Sequence, residues 1–495
     1  MGSLSKEYNQ TKLYGQVYTP NFIVCKILND IGYTSANILG KSIIDPACGD
    51  GRFLVEIVKR IIKLSAKENL KQNLEYVYGW DIDEEAIKKC IDNLNELIKE
   101  YNINVNWNIT VKNSVQQYKK EDLFNEPVQK FDFIVGNPPY IRIQHLDLQQ
   151  RQYIQQNYDF CKSGSTDIYI AFYELCLNLL SKNGICGLIT PNTFLFTETA
   201  RPLRLFFATN RNLLQITNYG EIQLFNDATT YSAITIFNLK KNKNFIYQKA
   251  LTDQTFETTT FDFGDLKEPF WQLSTEEKEI SQGIKLKNIC NIHVGITTLC
   301  DSAYIFPIEE INDDYVFGNT KLKGKVKLEK EILKPIIKGS KLKSSMQEIN
   351  EYVLFPYYRY DGKHTIIPED RLKNDYPLAY AYLLSVKPEL DKRDNGKPNS
   401  VAWYAFGRSQ GLDTSFGEKI IFSPINDKPN FVYYSNPDCT FYSGYCIKYS
   451  GNHKQLLSQL NSERMAKFVE MSSRDFRGGW KAYNKKVIEN FELTK

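Results

Sequence analysis

The chain has 495 residues, a net charge of +4 and 42% hydrophobic residues, which predicts a globular protein of two or three domains. No stretch approaches the roughly 18 apolar residues of a membrane helix, and the N-terminus lacks the apolar core of a signal peptide, so we expect a cytoplasmic protein. Ten scattered cysteines and four histidines give little support to a zinc site or a disulfide framework.

The first predicted elements form a helix and then a strand–turn–helix unit. Pro20 suits the first position of an amphipathic helix that runs to about residue 31, and Thr19 before it is by itself a generic N-cap. Residues 42–54 then predict a β-strand that turns into a second helix at residue 52. Gly49 and Gly51 let the backbone approach a ligand closely, although the Gly-x-Gly-x-x-Gly pattern of dehydrogenases is not met.

Acidic and polar side chains follow the next two predicted strands. A strand over residues 76–80 ends in Asp81, and a helix is predicted from residue 84 with Asp83 as its cap. A carboxylate at the tip of the second strand is where a doubly wound fold binds ribose hydroxyls, so Asp81 is the predicted ligand. A third strand, residues 107–112, leads to Asn113 and Ser114.

A rigid group of hydrogen-bond acceptors follows the fourth predicted strand. Residues 131–135 are apolar and β-rich, which predicts a buried parallel strand. The residues after Gly136 are Asn137, Pro138, Pro139 and Tyr140. Prolines have no N–H, so the backbone here offers carbonyl acceptors beside the Asn137 side chain, and Tyr140 adds a ring for stacking. This combination predicts a site for a planar amine, with an ordinary turn as the alternative.

The alternation of strands and helices continues to about residue 240. Residues 141–164 show no clear periodicity and are predicted to form a mobile lid, and residues 165–167 cap an amphipathic helix over 168–180 in which Asp167 is either a cap or a ligand. Further strands are expected over 185–190 and 214–218 and a helix over 200–208, which together predict a mostly parallel sheet. A loop and a strand follow in residues 224–237, and residues 240–244 mark the predicted end of the first domain.

No such alternation returns after residue 245, where short strands and aromatic, basic patches predict an α+β domain. Residues 321–343 contain nine lysines and two glutamates, either a solvated surface or a phosphate-binding segment. Residues 403–410 place aromatic side chains beside Arg408 and Gln410, and Arg and Gln are the side chains that recognise base edges bidentately. A plain aromatic core with a surface arginine is the alternative.

The motifs resemble those of the gamma class of N6-adenine DNA methyltransferases. Residues 14–20 resemble the tenth motif of that class, and Asp-Pro-Ala-Cys-Gly-Asp-Gly-Arg-Phe-Leu at 45–54 resembles the first. Asn-Pro-Pro-Tyr at 137–140 resembles the fourth motif, and residues 224–237 resemble the eighth. The similarity is specific over about residues 14–240. It implies a Rossmann-like S-adenosylmethionine-dependent methyltransferase domain, residues 1–244, followed by a DNA target-recognition domain, residues 245–495.

The resemblance also implies roles for individual residues. The cofactor S-adenosyl-L-methionine would be bound by Thr19, Asp45, Ala47, Gly49, Asp81, Ile82, Asn113, Ser114, Asn137 and Phe172. The family usually has an acid where Asn113 stands, and an amide oxygen can still accept there. An extruded adenine would meet Asn137, Pro138, Pro139, Tyr140 and Phe225, with a core role for Phe225 as the alternative. DNA would be contacted by Lys321, Lys323, Lys325, Lys327, Arg408 and Gln410.

The implied partner is double-stranded DNA, and the implied system is restriction–modification with a separately encoded endonuclease or an orphan methyltransferase. We expect a monomer without a metal site. The 13 residues before Tyr14 leave no room for a nuclease domain at its usual N-terminal place. Three rivals stay open: a protein-glutamine methyltransferase, a ribosomal-RNA guanine methyltransferase and a catalytically silent DNA-binding relative.

Overall fold

The computed structural model describes residues 19–116, 129–162, 164, 166–225, 231–266, 270–271, 273–274, 283–473, 475–476 and 478–494. Three parts of the predicted motifs lie outside these described residues, namely residues 14–18, Ser165 and residues 226–230. The chain divides into two compact units, Met1–Lys278 and Glu279–Lys495.

The first unit is built on a nine-stranded sheet. Its strands are β1 Ile43–Asp45, β2 Val77–Asp81, β3 Asn108–Val111, β4 Phe131–Gly136, β5 Leu180–Pro191, β6 Leu213–Asn218, β7 Ser232–Asn238, β8 Asn244–Ala250 and β9 Phe256–Asp262. The spatial order is β3-β2-β1-β4-β5-β7-β6-β8-β9. The β1, β2, β3, β4 and β5 pairings are parallel, as is β6 with β8, whereas β7 is antiparallel to both of its neighbours. The predicted mostly parallel sheet is therefore confirmed.

Helices cover both faces of this sheet. They span Asn21–Asp30, Arg52–Leu64, Leu70–Leu74, Glu84–Ile98, Leu148–Asn157, Ile168–Leu179 and Arg201–Asn210. Successive side chains of a strand point to opposite faces, so Ile134 joins one hydrophobic cluster and Val135 the other. The first three long helices line the cluster of Val135, and the last three line the cluster of Ile134. Both faces of the central strands are thus buried, which explains their continuous apolar runs.

Three expectations about this unit need correction. The helix Ile168–Leu179 is buried on nearly all sides rather than amphipathic, because it packs inside the core cluster of Ile134. Asp167 occupies its N-cap position without a capping hydrogen bond from its side chain. The segment after Tyr140 contains a regular helix, Leu148–Asn157, whose pattern is weak because it buries only Ile154.

The predicted domain boundary at 244/245 also differs from the structure. Strands β8 and β9 pair with the sheet of the first unit, β8 parallel to β6 and β9 antiparallel to β8. The first compact unit therefore continues to residue 278. Local composition could not show this, because an added edge strand is distinguished only by the strand with which it pairs.

The second unit is mostly sheet, with its strands arranged in several small sheets. The larger ones have four strands, β11-β23-β19-β21, and six, β14-β13-β12-β16-β15-β22. The strands are β10 Ile284–Lys285, β11 Asn291–Val294, β12 Ile305–Ile311, β13 Tyr315–Thr320, β14 Gly324–Glu329, β15 Leu333–Lys338, β16 Glu351–Leu354, β17 Tyr357–Tyr360, β18 Lys363–Ile366, β19 Lys419–Phe422, β20 Ile425–Asn426, β21 Phe431–Tyr434, β22 Thr440–Tyr442, β23 Tyr445–Lys448, β24 Asp475–Phe476, β25 Trp480–Ala482 and β26 Glu492–Leu493. The helices are Asp301–Tyr304, Glu369–Asp375, Pro377–Leu390, His453–Leu460, Glu463–Ser472 and Lys485–Ile488.

All ten cysteines are free thiols, and eight of them are buried. Among the described residues, no group of three or more His, Cys, Asp or Glu side chains is arranged to hold a metal ion. None of the described helices combines the length and the apolar character needed to cross a bilayer.

Candidate active site

The sheet order places the predicted site residues along one edge of the first unit. Strands β2, β1 and β4 are parallel neighbours, so their carboxyl ends meet at the same edge. Those ends carry Asp81, Asp45 and Asn137, respectively. The chain leaves β3 on one side of β1 and returns as β4 on the other side. In open α/β sheets, such a switch point is where ligands bind.

The glycine turn after β1 is held by the carboxylate at the tip of β2. Gly49 N–H donates to Asp81 Oδ2 at 2.8 Å, and Asp83 N–H donates to Asp81 Oδ1 at 3.0 Å. Gly51 adopts a φ of 89°, and a methyl group added there would lie 2.6 Å from Cys90 Sγ. Conformation and space therefore both require glycine at 51. The predicted cap at Asp83 is confirmed, since its carboxylate accepts from Glu85 and Ala86 N–H.

Two acidic side chains lie next to each other beneath this turn. Asp45 is buried and accepts from Ala47 N–H at 3.0 Å. Burial raises the pKa of Asp45 to about 8, and the negative charge of Asp81 adds to the rise while the Ala47 N–H opposes it. Burial also raises the pKa of Asp81, against the hydrogen bonds from Asp83 and Gly49 N–H. The site therefore favours a ligand that brings positive charge or hydrogen-bond donors to these carboxyl groups.

Asn137 is held from two sides. Its Nδ2 donates to Thr19 Oγ1 at 3.1 Å, and its Oδ1 accepts from the Tyr140 hydroxyl at 2.5 Å. The Tyr140 hydroxyl also lies 3.3 Å from the Ile189 carbonyl, and burial raises the pKa of this phenol. Gly136 precedes Asn137 without a side chain because an added methyl group would lie 2.8 Å from Asp45 Oδ1. The amine-acceptor end of β4 is thus packed directly against the acid of β1.

The remaining predicted cofactor residues lie around the same turn or in the core. Ser114 Oγ donates to the Pro46 carbonyl at 2.6 Å, which ties the end of β3 to the turn after β1. Asn113 Oδ1 accepts from Gln116 N–H, so its amide caps a local turn. Ile82 is 51% exposed beside Asp81. Phe172 is buried in the core cluster of Ile134.

Phe225, predicted to stack on an extruded base, is 2% exposed and lies in the core cluster of Val135. This placement corresponds to the alternative core role. Tyr140 is only partly buried and packs against both clusters. Of the predicted aromatic pair, Tyr140 is therefore the one that this structure places at the surface of the site.

The predicted DNA-binding residues lie in the second unit. Lys321, Lys323, Lys325 and Lys327 are all exposed, the last two on the edge strand β14. Lys325 Nζ lies 3.7 Å from Glu309 Oε2, and Lys327 Nζ lies 3.8 Å from the centre of the Tyr315 ring. Gln410 is exposed.

Arg408 is not free in this structure. Its Nη1 lies 2.5 Å from Asp394 Oδ2 and its Nη2 lies 2.8 Å from Asp394 Oδ1. The guanidinium fork that would recognise a base edge is therefore occupied by a carboxylate. The hairpin of β17 and β18 was not predicted from the sequence, although the turn dipeptide Asp361-Gly362 between alternating residues marks it.

Comparison with known proteins gives one family match and several full-length relatives. Residues 52–225 match the Eco57I restriction-modification methylase family. The chain is 26% identical to the type II restriction enzyme and methyltransferase RM.Eco57I of Escherichia coli, an alignment that covers 95% of this chain and 56% of that protein. It is 27% identical to the type II methyltransferase M.BanIII of Aneurinibacillus aneurinilyticus, over 86% and 79% of the two chains. The chain thus spans little more than half the length of the Eco57I enzyme.

The solved structure of the type IIL restriction-modification enzyme MmeI, determined in complex with DNA, has a similar fold. The TM-score is 0.61 at 15% sequence identity, with 98% of this chain and 67% of that chain covered. At this identity the likeness concerns the fold alone. It extends over both compact units of the chain.

The residues at the switch point fit the cofactor of such a methylase. Asp81 offers a carboxylate for ribose hydroxyls, and the exposed Ile82 beside it offers an apolar contact for a ring. A methyl group added at Gly49 would meet no atom within 4 Å, so the turn leaves open space above it. The cofactor is S-adenosyl-L-methionine. On these comparisons, we assign residues 52–225 to the Eco57I restriction-modification methylase family.

Proposed function

We propose that this chain transfers a methyl group from S-adenosyl-L-methionine to the N6 amino group of an adenine extruded from duplex DNA. It would act as the modification enzyme of a restriction–modification system or as an orphan methyltransferase. The proposal rests on one observation. At the switch point, the amine-acceptor group after β4 is packed against the cofactor turn after β1, with Gly136 lying against Asp45.

The proposed chemistry follows from the acceptors on the chain. An exocyclic adenine amine is a poor nucleophile because its lone pair is delocalised into the ring. The Asn137 side-chain oxygen and the Pro138 carbonyl would accept its two N–H groups and favour a tetrahedral nitrogen whose lone pair is available. The cofactor supplies an electrophilic methyl group on a sulfonium. Positioning by fixed acceptors would provide most of the rate enhancement.

The structure adds a step to this scheme. In the absence of a base, the Tyr140 hydroxyl donates to the same Asn137 oxygen that the amine would use. An entering adenine must therefore displace this hydroxyl or share the second lone pair of the oxygen. The Tyr140 ring would then offset part of the stacking that the base loses on leaving the duplex. Thr19, bonded to the amide nitrogen, keeps the oxygen directed away from itself.

We also propose that the second unit binds the target DNA. Its exposed lysines on and next to β14 suit phosphate contacts, because an ammonium is a point charge rather than a bidentate donor. A catalytically silent relative would have lost the acceptors or the acid at the tip of β2, and both Asn137 and Asp81 are present.

The test is methyl transfer by the whole chain to duplex DNA, RNA and protein, followed by single-molecule sequencing of methylated adenines in DNA from cells that express it. We expect N6-methyladenine at one sequence context. Asn137→Ala should abolish transfer and leave cofactor affinity within a few-fold of the wild type. Transfer to RNA or to protein glutamine, or near-normal turnover of the Asn137→Ala variant, would refute the proposal.

A further inference from the structure

A two-stranded hairpin in the second unit has no role in the function described so far. Strands β17, Tyr357–Tyr360, and β18, Lys363–Ile366, form a sheet of their own with no third strand among the described residues. The turn residues Asp361 and Gly362 have φ values of 47° and 75°. Positive φ at both central residues is the geometry of a tight hairpin turn whose twist matches the strands.

The base of the hairpin is anchored firmly. The Tyr357 hydroxyl accepts from Phe406 N–H at 2.7 Å. The backbone N–H of His364 donates to Asp413 Oδ1 at 2.7 Å, and its imidazole Nδ1 lies 2.9 Å from the same oxygen. The His364 ring also packs between Phe355 and Phe416, with centroid distances of 5.2 and 5.3 Å. The tip of the hairpin therefore projects from a fixed support.

The tip of the hairpin carries free cationic and aromatic groups. Arg359 and Lys363 are exposed, and Tyr360 is 68% exposed. Within the described part of the chain, the side chains of Arg359 and Lys363 make no hydrogen bond or ion pair. Long charged side chains with no intramolecular partner at a fixed position are available to an external ligand.

Arg359 differs in this respect from the other described arginines of the unit. Arg371 pairs with Asp375, Arg393 is buried and donates to backbone carbonyls, Arg408 pairs with Asp394, and Arg464 is half buried with its guanidinium over the Phe491 ring. Among the described arginines of the second unit, Arg359 is thus the exposed one whose guanidinium fork is unoccupied.

We propose that the hairpin of residues 357–366 enters the major groove of the target duplex and that Arg359 recognises a guanine there. The proposal rests on the proposed function as a DNA methyltransferase. A two-stranded ribbon fits the width of the major groove, and an arginine fork matches guanine O6 and N7 bidentately. Lys363, next to the tip, suits a flanking phosphate. The positive charges of the tip complement the polyanionic partner.

The test uses the full chain and the recognition sequence found by sequencing methylated DNA. Binding of the cognate duplex and of duplexes with one substituted base pair is measured across a salt series. The variants are Arg359→Ala, Arg359→Lys and the control Arg371→Ala, an exposed arginine that packs over Tyr358 on the same hairpin. Thermal unfolding and cofactor affinity of each variant show whether the fold is kept.

We expect both Arg359 variants to lose discrimination at one G·C pair by roughly 5- to 150-fold, while the other positions keep theirs. Arg359→Lys should retain the salt dependence of the wild type, and Arg371→Ala should retain its discrimination. Unchanged discrimination in the Arg359 variants overturns the proposal. So does a uniform loss of affinity in Arg359→Ala that Arg359→Lys restores, because that pattern indicates a phosphate contact. A wild-type chain that methylates no duplex overturns the proposed function as well.

Discussion

Asp81→Ala is expected to weaken the binding of S-adenosyl-L-methionine by about 1.5–3 kcal/mol, the typical strength of a hydrogen bond to a charged group. Each oxygen of the Asp81 carboxylate already accepts one backbone N–H, at 2.8 and 3.0 Å. Each carboxylate oxygen has a second lone pair, so the group can also accept from ribose hydroxyls. The expected change corresponds to a dissociation constant about 10- to 150-fold higher.

The same substitution also affects the fold, and the two effects must be separated. Without the carboxylate, the N–H groups of Gly49 and Asp83 lose their acceptor, which costs about 1–3 kcal/mol for a buried donor left unpaired. Asp83→Ala is the matched control at the same strand tip. It removes a helix cap that accepts from Glu85 and Ala86 N–H, at a cost of about 1 kcal/mol of stability.

The assay is isothermal titration calorimetry of both variants at a temperature where chemical denaturation shows them folded. Asp83→Ala should be less stable than the wild type and bind the cofactor almost as well. Asp81→Ala should lose both stability and affinity. If the two variants bind S-adenosyl-L-methionine equally well, the ribose hydroxyls are bound elsewhere and our reasoning about the tip of β2 is wrong.

Three further outcomes are expected. Thr19→Val removes the acceptor of Asn137 Nδ2, so turnover should fall by the equivalent of about 1–3 kcal/mol and recover in Thr19→Ser, with little change in cofactor affinity; normal turnover of the valine variant would exclude a positioning role. Because burial raises the pKa of Asp45 from 3.8 to about 8, its contribution to stability is fully present below the lower value and is lost as the pH rises through about 8. Urea unfolding should therefore show a fall in stability over this pH range that Asp45→Asn lacks, and identical pH profiles would contradict the assignment. Neutralising the four exposed lysines should weaken cognate and scrambled duplexes alike and flatten the logarithmic salt dependence by about 0.9 for each phosphate that is no longer neutralised, whereas an unaltered slope would identify them as solvated surface: Lys321, Lys323, Lys325 and Lys327.

Much of the first unit was predictable because its signals are local. The helix starts at residues 52 and 84, the Asp83 cap and the buried strand before Gly136 follow from periodicity, capping chemistry and the backbone limits of glycine and proline. Parallel strands bring their carboxyl ends to one edge of a sheet. The sequence alone therefore determined that Asp45, Asp81 and Asn137 belong to one site.

Tertiary structure decided what each side chain meets. Thr19 and Asn137 are 118 residues apart in the chain, and the pairing of β8 with β6 moved the end of the first unit to residue 278. The carboxylate of Asp394 occupies Arg408, whereas Arg359 on the hairpin is left exposed and unpaired. A local pattern tells which residues prefer burial or solvent. Which charge stands opposite which depends on how distant elements pack, and that information is present only in the folded chain.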